Sequence, residues 1–241
     1  MNSEYVYPIQ FRELRTDVSL LDKKNWEGLM PVQLLQIRPE SSDHFPPTEV
    51  RLFRDSQALY GKFSVQDRYV RCVQTGYQAK VSKDSCVEFF LKPEGSTGYF
   101  NFEFNCGSNL LCYYIRNPKK KDGKRIDYDV LSKEDLMMVQ RESTLPMVIE
   151  KELTEDIYWE LAFRIPFALI QKYTPLSSQT FNETWHGNFY KCADETSMPH
   201  WISWTPLPEK NFHLPAYFGE LRFKDKDQKS IPCEAGELFE P

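Results

Sequence analysis

The chain has 241 residues, of which 41% are hydrophobic and 27% charged, and a formal charge of −5. That size and balance suit one soluble globular domain, 1–241, with its core at about 30–225. The acidic charge argues against nucleic acid as the main partner, because phosphates select a basic face. No apolar run approaches the roughly 20 residues of a spanning helix, so no membrane span is expected. The opening residues MNSEYVYPIQ lack the basic start and apolar core of a secretory leader. As written, the sequence implies a cytoplasmic protein, or an extracytoplasmic one if a leader was removed.

Residues 1–30 are mixed, with a short helical turn expected around 19–27. From Val32 the pattern turns to β. Residues 48–53 alternate, with Val50 and Leu52 opposite Arg51, and 58–65 does the same with Leu59, Phe63 and Val65. Asp55-Ser56-Gln57 reads as the turn between them. Residues 67–84 are polar and poorly patterned, a long excursion.

Residues 85–92 and 99–105 form the clearest hairpin. Phe100, Phe102 and Phe104 share one face of the second strand, joined by Val87, Phe89 and Leu91 from the first. The other face carries Tyr99, Asn101, Glu103 and Asn105, and Glu88 belongs with them. If the loop closes Lys92 on Tyr99, Glu88 falls opposite Glu103. Two carboxylates so placed repel unless a proton, a cation or a hydroxyl-rich ligand lies between them.

Residues 110–115 make another strand, and NPKKKDGKR (117–125) a charged hairpin tip turning at Asp122-Gly123. Ser132 caps a short helix reaching 141, with Asp135 at its third position. Residues 147–153 and 156–165 read as strands paired with each other. Pro166 starts a helical segment through 172, and 174–184 is loop with a sequon at Asn182-Glu183-Thr184.

Residues 185–219 hold three of the five tryptophans and three of the four histidines. Strands are expected at 187–192 and 201–204, and another starting near Phe218. A proline-held loop from Pro206 to Pro215 separates the last two, its backbone biased to extended conformations. After Phe223 the tail is polar. At least eight short strands and few helices predict an all-β fold. The expected form is an antiparallel β-sandwich, jelly-roll or immunoglobulin-like, with one or two short helices.

Six cysteines (72, 86, 106, 112, 192 and 233) show no CxxC pair. They read as buried free thiols rather than disulfides. The four histidines have no metal-ligand spacing, so no zinc site is expected.

Seven segments in order resemble family 9 carbohydrate-binding modules, closest to a divergent family 9-like bacterial group. They are LYGKFSVQD (59–67), DSCVEFFLKP (84–93), YFNFEFN (99–105), YWELAFRIPF (158–167), GNFYKC (187–192), SWTP (203–206) and FHLPAYFG (212–219). The resemblance implies a β-sandwich that binds sugars between aromatic rings and polar groups, serving polysaccharide degradation in association with glycoside hydrolases. Structural calcium is also known in that family. By the resemblance, Glu88 matches an acid that bonds sugar hydroxyls, and Glu103 sits where the family has a polar residue, often arginine. Phe212 aligns with an aromatic platform that is tryptophan in well-studied members. The second platform falls in AKVSKD (79–84), which has no tryptophan; Tyr77 is the nearest aromatic.

The expected sugar seat therefore combines Phe212, Trp204 and His213 as stacking or edge groups with Glu88, Asn101, Glu103, Asn105 and Asn188 as polar ones. Three alternatives stay open. One is a glycoside-active enzyme using Glu88 and Glu103 as paired carboxylates. Another is a haem-binding relative drawing on Met198, His200 and His213. The third is a plain structural or interaction domain. Asp127, Asp129, Glu134 and Asp135 are the candidate acids for an ion such as calcium.

Overall fold

Period-two alternation decides which side chains go inside, and the strands follow it closely. The structure, a computed structural model, describes residues 4–14, 18–121, 124–176 and 184–224, with backbone alone for 120, 121 and 124–126. The Asp122-Gly123 turn, Asn182 and Glu183 of the sequon, Cys233 and the tail beyond 224 lie outside the described residues.

The first strands are β1 (Val6–Phe11), β2 (Val32–Gln33), β3 (Gln36–Ile37), β4 (Thr48–Arg54), β5 (Ala58–Asp67) and β6 (Val70–Cys72). The long central hairpins follow as β7 (Cys86–Lys92), β8 (Tyr99–Asn105), β9 (Leu110–Lys121) and β10 (Lys124–Val130). Helix α1 (Lys133–Met138) leads to β11 (Gln140–Ser143), β12 (Ile149–Leu153) and β13 (Ile157–Pro166). Helix α2 (Phe167–Gln171) precedes β14 (Thr184–Ala193), β15 (His200–Ser203) and β16 (Gly219–Phe223).

The main sheet runs β10-β9-β8-β7-β14-β16-β1-β4-β5-β13-β11 and curls into two facing layers. Strand β1 is the seam. Its first half pairs with β16 (Val6 beside Glu220) and its second half with β4 (Gln10 beside Phe53), both parallel. The other pairings among the described strands are antiparallel. This is the expected sandwich, with a parallel seam that local alternation did not reveal.

The layers meet through phenylalanine. Phe163 of β13 stacks on Phe89 at 5.8 Å and on Phe104 at 5.3 Å between ring centres. The same interior takes Val87, Leu91, Phe100, Phe102, Trp159 and Phe189, so both strands of the predicted hairpin present the face read from the sequence. The N-terminal segment covers the outer side of the other layer, with Leu20, Trp26 and Leu29 on Phe53, Tyr60 and Ala162.

One polar cluster is enclosed in this interior. Lys191 places its Nζ 2.7 Å from His200 Nε2 and 3.3 Å from Asp67, which also meets His44 Nε2 at 2.8 Å. Burial would raise the Asp67 carboxyl, but Lys191 and His44 outweigh it and hold it well below the usual range. Burial drops His200 to about 3, so its ring stays neutral beside the ammonium.

Several local expectations change. Residues 147–153 do not pair with β13: β12 pairs with β6, and β13 lies between β5 and β11. Alternation sets a strand's faces and leaves its partner undefined. The turn expected at 19–27 is a single 3-10 turn at Lys23–Asn25, and the mixed opening stretch contains strand β1. The basic tip is mostly strand, since β9 continues to Lys121. Ser132 caps α1 as expected, accepting from the Asp135 N–H at 3.1 Å. Among the described residues, no helix is long and apolar enough to cross a membrane.

Candidate functional site

The outer face of β7, β8, β9 and β14 is covered at both ends by irregular chain. At one end, the loop after β15 lays Leu207, Phe212, Leu214 and Phe218 over Phe90, Tyr99 and Tyr190. Arg38 holds this loop by donating to the Leu207 carbonyl at 2.6 Å, and Thr205 Oγ1 does the same to Tyr217 at 2.6 Å. At the other end, the polar excursion before β7 sets Val81 against Cys86, Leu111 and Cys192. Asp84 fixes it, its Oδ2 accepting from Val73 N–H, Gln74 N–H and Asn105 Nδ2 at 2.7–2.9 Å.

Between the two covers the face stays open as a groove of about 460 Å³. Glu88 and Glu103 form part of its lining, directly opposed across β7 and β8 as the hairpin reading required. Both are mostly enclosed, at 3% and 8% exposure. Asn101 Nδ2 donates to Glu103 Oε1 at 2.6 Å, and Cys192 Sγ lies 3.2 Å from Glu88 Oε1. Burial, and after it the Glu103 carboxylate, push Glu88 well above the ordinary carboxylate range, which favours its protonated form. A carboxylic acid beside a carboxylate offers a donor and acceptors together, a set suited to vicinal hydroxyls.

Aromatic rings and cations complete the walls. Phe212 stacks on Tyr190 at 4.1 Å, and the Tyr190 hydroxyl donates to the Phe212 carbonyl at 3.0 Å. His213 follows on the same wall, its Nδ1 2.8 Å from the Tyr99 hydroxyl. Across β15, Trp201 presents a ring capped by Lys210, whose Nζ sits 3.0 Å from the ring centre. Trp201 Nε1 donates to Asp194 at 2.8 Å, which fixes the ring plane.

The groove thus brings together Glu88, Glu103, Phe212 and His213 of the eight expected residues. The other four are placed elsewhere. Asn101 is fully buried, with Oδ1 on the Tyr113 N–H and Nδ2 on Glu103, so it orients the acid from behind. Asn105 lies under the excursion, bonded to Gln74, Asp84 and Asn109. Asn188 sits beneath the loop, bonded to Thr205 and to the Phe189 N–H. Trp204 packs in the core against Phe189 and Tyr5. Asn105 and Asn188 thus lie beneath covering segments, Asn101 behind Glu103, and Trp204 in the core.

Trp201, outside the expected set, lines the groove. It pairs with Cys192, two residues from Tyr190 and hence on the groove side of β14. Trp204 is three positions further, on the opposite parity. Tyr77 is no second platform here; its hydroxyl donates to Leu131 at 2.6 Å, and it does not line the groove.

Three of the four acids named for an ion such as calcium, which takes six to eight oxygens, are engaged by side chains of this chain. Asp127 and Asp129 both bind Arg116, and Asp135 binds Lys172 and Tyr173. The haem set is likewise not assembled: His200 has both ring nitrogens engaged, by Lys191 and the Met198 carbonyl, while His213 stands in the groove.

The chain matches carbohydrate-binding family 9 over residues 16–223, and it belongs to that family. It is similar to a crystal structure of a candidate carbohydrate-binding protein from Bacteroides uniformis. The two are 28% identical, with a TM-score of 0.80 over 91% of this chain and 99% of the other. A family 9 module from Caldicellulosiruptor kristjanssonii, solved with cellotriose, matches at 15% identity and TM-score 0.57. That match covers 95% of this chain and all of the other. The glucose complex matches at 14% and 0.55, covering 94% and 100%. At that identity the latter two speak to the fold. No curated protein matches the chain.

Proposed function

We propose that the groove is a carbohydrate-binding site that seats the end of a sugar or oligosaccharide without chemistry on it. One observation carries this reading: Glu88 and Glu103 face each other in an open groove that also presents the Phe212 and Trp201 rings. A pyranose has an apolar face that packs on such a ring and equatorial hydroxyls that match the paired acids. Family membership and the carbohydrate-bound relatives support the same class of ligand. In this reading the domain serves polysaccharide degradation by holding cut chain ends near glycoside hydrolases.

Affinity is modest in a shallow polar seat; a Kd of about 1 mM corresponds to roughly −4 kcal/mol. Calorimetry of the metal-free protein against glucose, cellotriose and a panel of other mono- and oligosaccharides tests it. Saturable heat with at least one of them is expected. No heat at millimolar concentrations across the panel would sink the proposal.

A further inference from the structure

Cys86 and Cys192 are directly opposed across β7 and β14, and Glu88 lies two residues along β7 on the same face. Their ligand atoms all fall within 4.8 Å of one another, and among the described residues they are the one such group of cysteine, histidine and acid side chains. We propose that Cys86, Cys192 and Glu88 form a binding site for a thiophilic divalent cation of the zinc class, opening on the groove.

The donor set selects the ion. Two sulfurs and one carboxylate suit zinc-class metals, whereas calcium and magnesium take oxygen cages. Zinc bonds of about 2.3 Å to sulfur and about 2.0 Å to oxygen set neighbouring ligand atoms roughly 3.3–3.8 Å apart. The observed 3.2 Å between Cys192 Sγ and Glu88 Oε1 is close to that, and with all three atoms within 4.8 Å of one another, side-chain rotation draws them onto one ion. Each thiol releases its proton to solvent on coordination.

Access and geometry agree with this assignment. Glu88 and Cys192 line the groove, so an ion enters from solvent and keeps a fourth position facing outward. Three protein ligands with one open position is the arrangement in which zinc accepts water or another ligand. Lys191 lies on the other face of β14, engaged with Asp67 and His200, so its charge does not occupy the site. Glu103, opposite Glu88, adds negative charge beside the open position.

The assignment does not depend on sugar binding, and the two fail separately: saccharide calorimetry uses metal-free protein, and the metal test uses no sugar. The reduced full chain, stripped with EDTA, is titrated with cobalt(II) and followed by absorption. A sulfur-to-cobalt charge-transfer band saturating at one equivalent, and bleached by zinc, is expected. Cys86→Ser and Cys192→Ser should each abolish it. Cys112→Ala, away from the cluster, should leave it unchanged. Glu88→Gln, which keeps the side chain's shape and both thiols, should weaken cobalt binding at least tenfold. Absence of the band in the wild-type chain, or its survival in either serine variant, overturns the proposal. So does unchanged affinity in Glu88→Gln.

Discussion

Tyr190 and Phe212 act as one unit, their rings 4.1 Å apart and 12° from parallel, with the tyrosine hydroxyl holding the phenylalanine's own carbonyl at 3.0 Å. A strand residue thereby fixes a ring that belongs to a loop. Phe212→Ala should lower saccharide affinity about tenfold, since roughly 50 Å² of lost apolar contact at about 25 cal/mol per Å² is worth about 1.3 kcal/mol. Tyr190→Phe keeps the stack and removes the hydrogen bond. It should cost about 1 kcal/mol of stability and a smaller loss of affinity. Calorimetry and urea unfolding read the two effects separately.

Glu88 offers a test of the acid pair. Its folded pKa lies above its unfolded one, so its contribution to stability is full below about pH 4.5 and falls as pH rises through the folded value. Glu103→Gln removes the opposing charge and lowers that folded pKa. The variant, unfolded in urea with EDTA present, should gain on the wild type as pH rises from 5 to 8. Each unit of pKa recovered is worth about 1.4 kcal/mol. A constant difference across that range would contradict the pairing.

His200 sets an opposite slope. Its folded pKa of about 3 lies below the ordinary 6.5, so between those values the unfolded chain binds the extra proton. Stability from this group is complete above pH 6.5 and falls with acid by up to about 1.4 kcal/mol per pH unit. Asp67 adds to the acid loss only at lower pH, through its depressed value. His200→Gln keeps an acceptor for Lys191 and should flatten the wild-type slope between pH 6.5 and 4. Urea midpoints at four pH values decide it.

Asn188 separates placement from chemistry. Its side chain satisfies the Thr205 N–H and hydroxyl and the Phe189 N–H, all enclosed. Asn188→Ala strands these groups and should cost about 2–4 kcal/mol. Sugar affinity per folded molecule should stay within twofold of wild type. A selective loss of binding with normal stability would instead place Asn188 in the seat.

The legible parts of this chain were those set by nearest neighbours. Six residues of loop tie β7 to β8, so alternation alone put Glu88 opposite Glu103 and the phenylalanines inside. The asparagines of the same face were legible as outward-pointing. Which of them lie under the loop after β15 or the excursion before β7 depends on contacts far along the chain, and no local pattern encodes these. The same holds for Trp201 against Trp204, where one step in register exchanges a wall for the core. Cys192 reaches Cys86 only because β14 docks beside β7, which spacing between cysteines could not announce.

Strand β1 joins Val6 to Glu220 and Gln10 to Phe53, so the two layers share one sheet only when segments far apart in the sequence meet. Pairing between segments so far apart in sequence carries a large loop-closure entropy, which is met before any contact rewards it. Until β16 is made, β1 and β14 each lack this partner. A truncation that spares every groove residue but removes β16 should therefore yield an aggregating chain rather than a weaker binder.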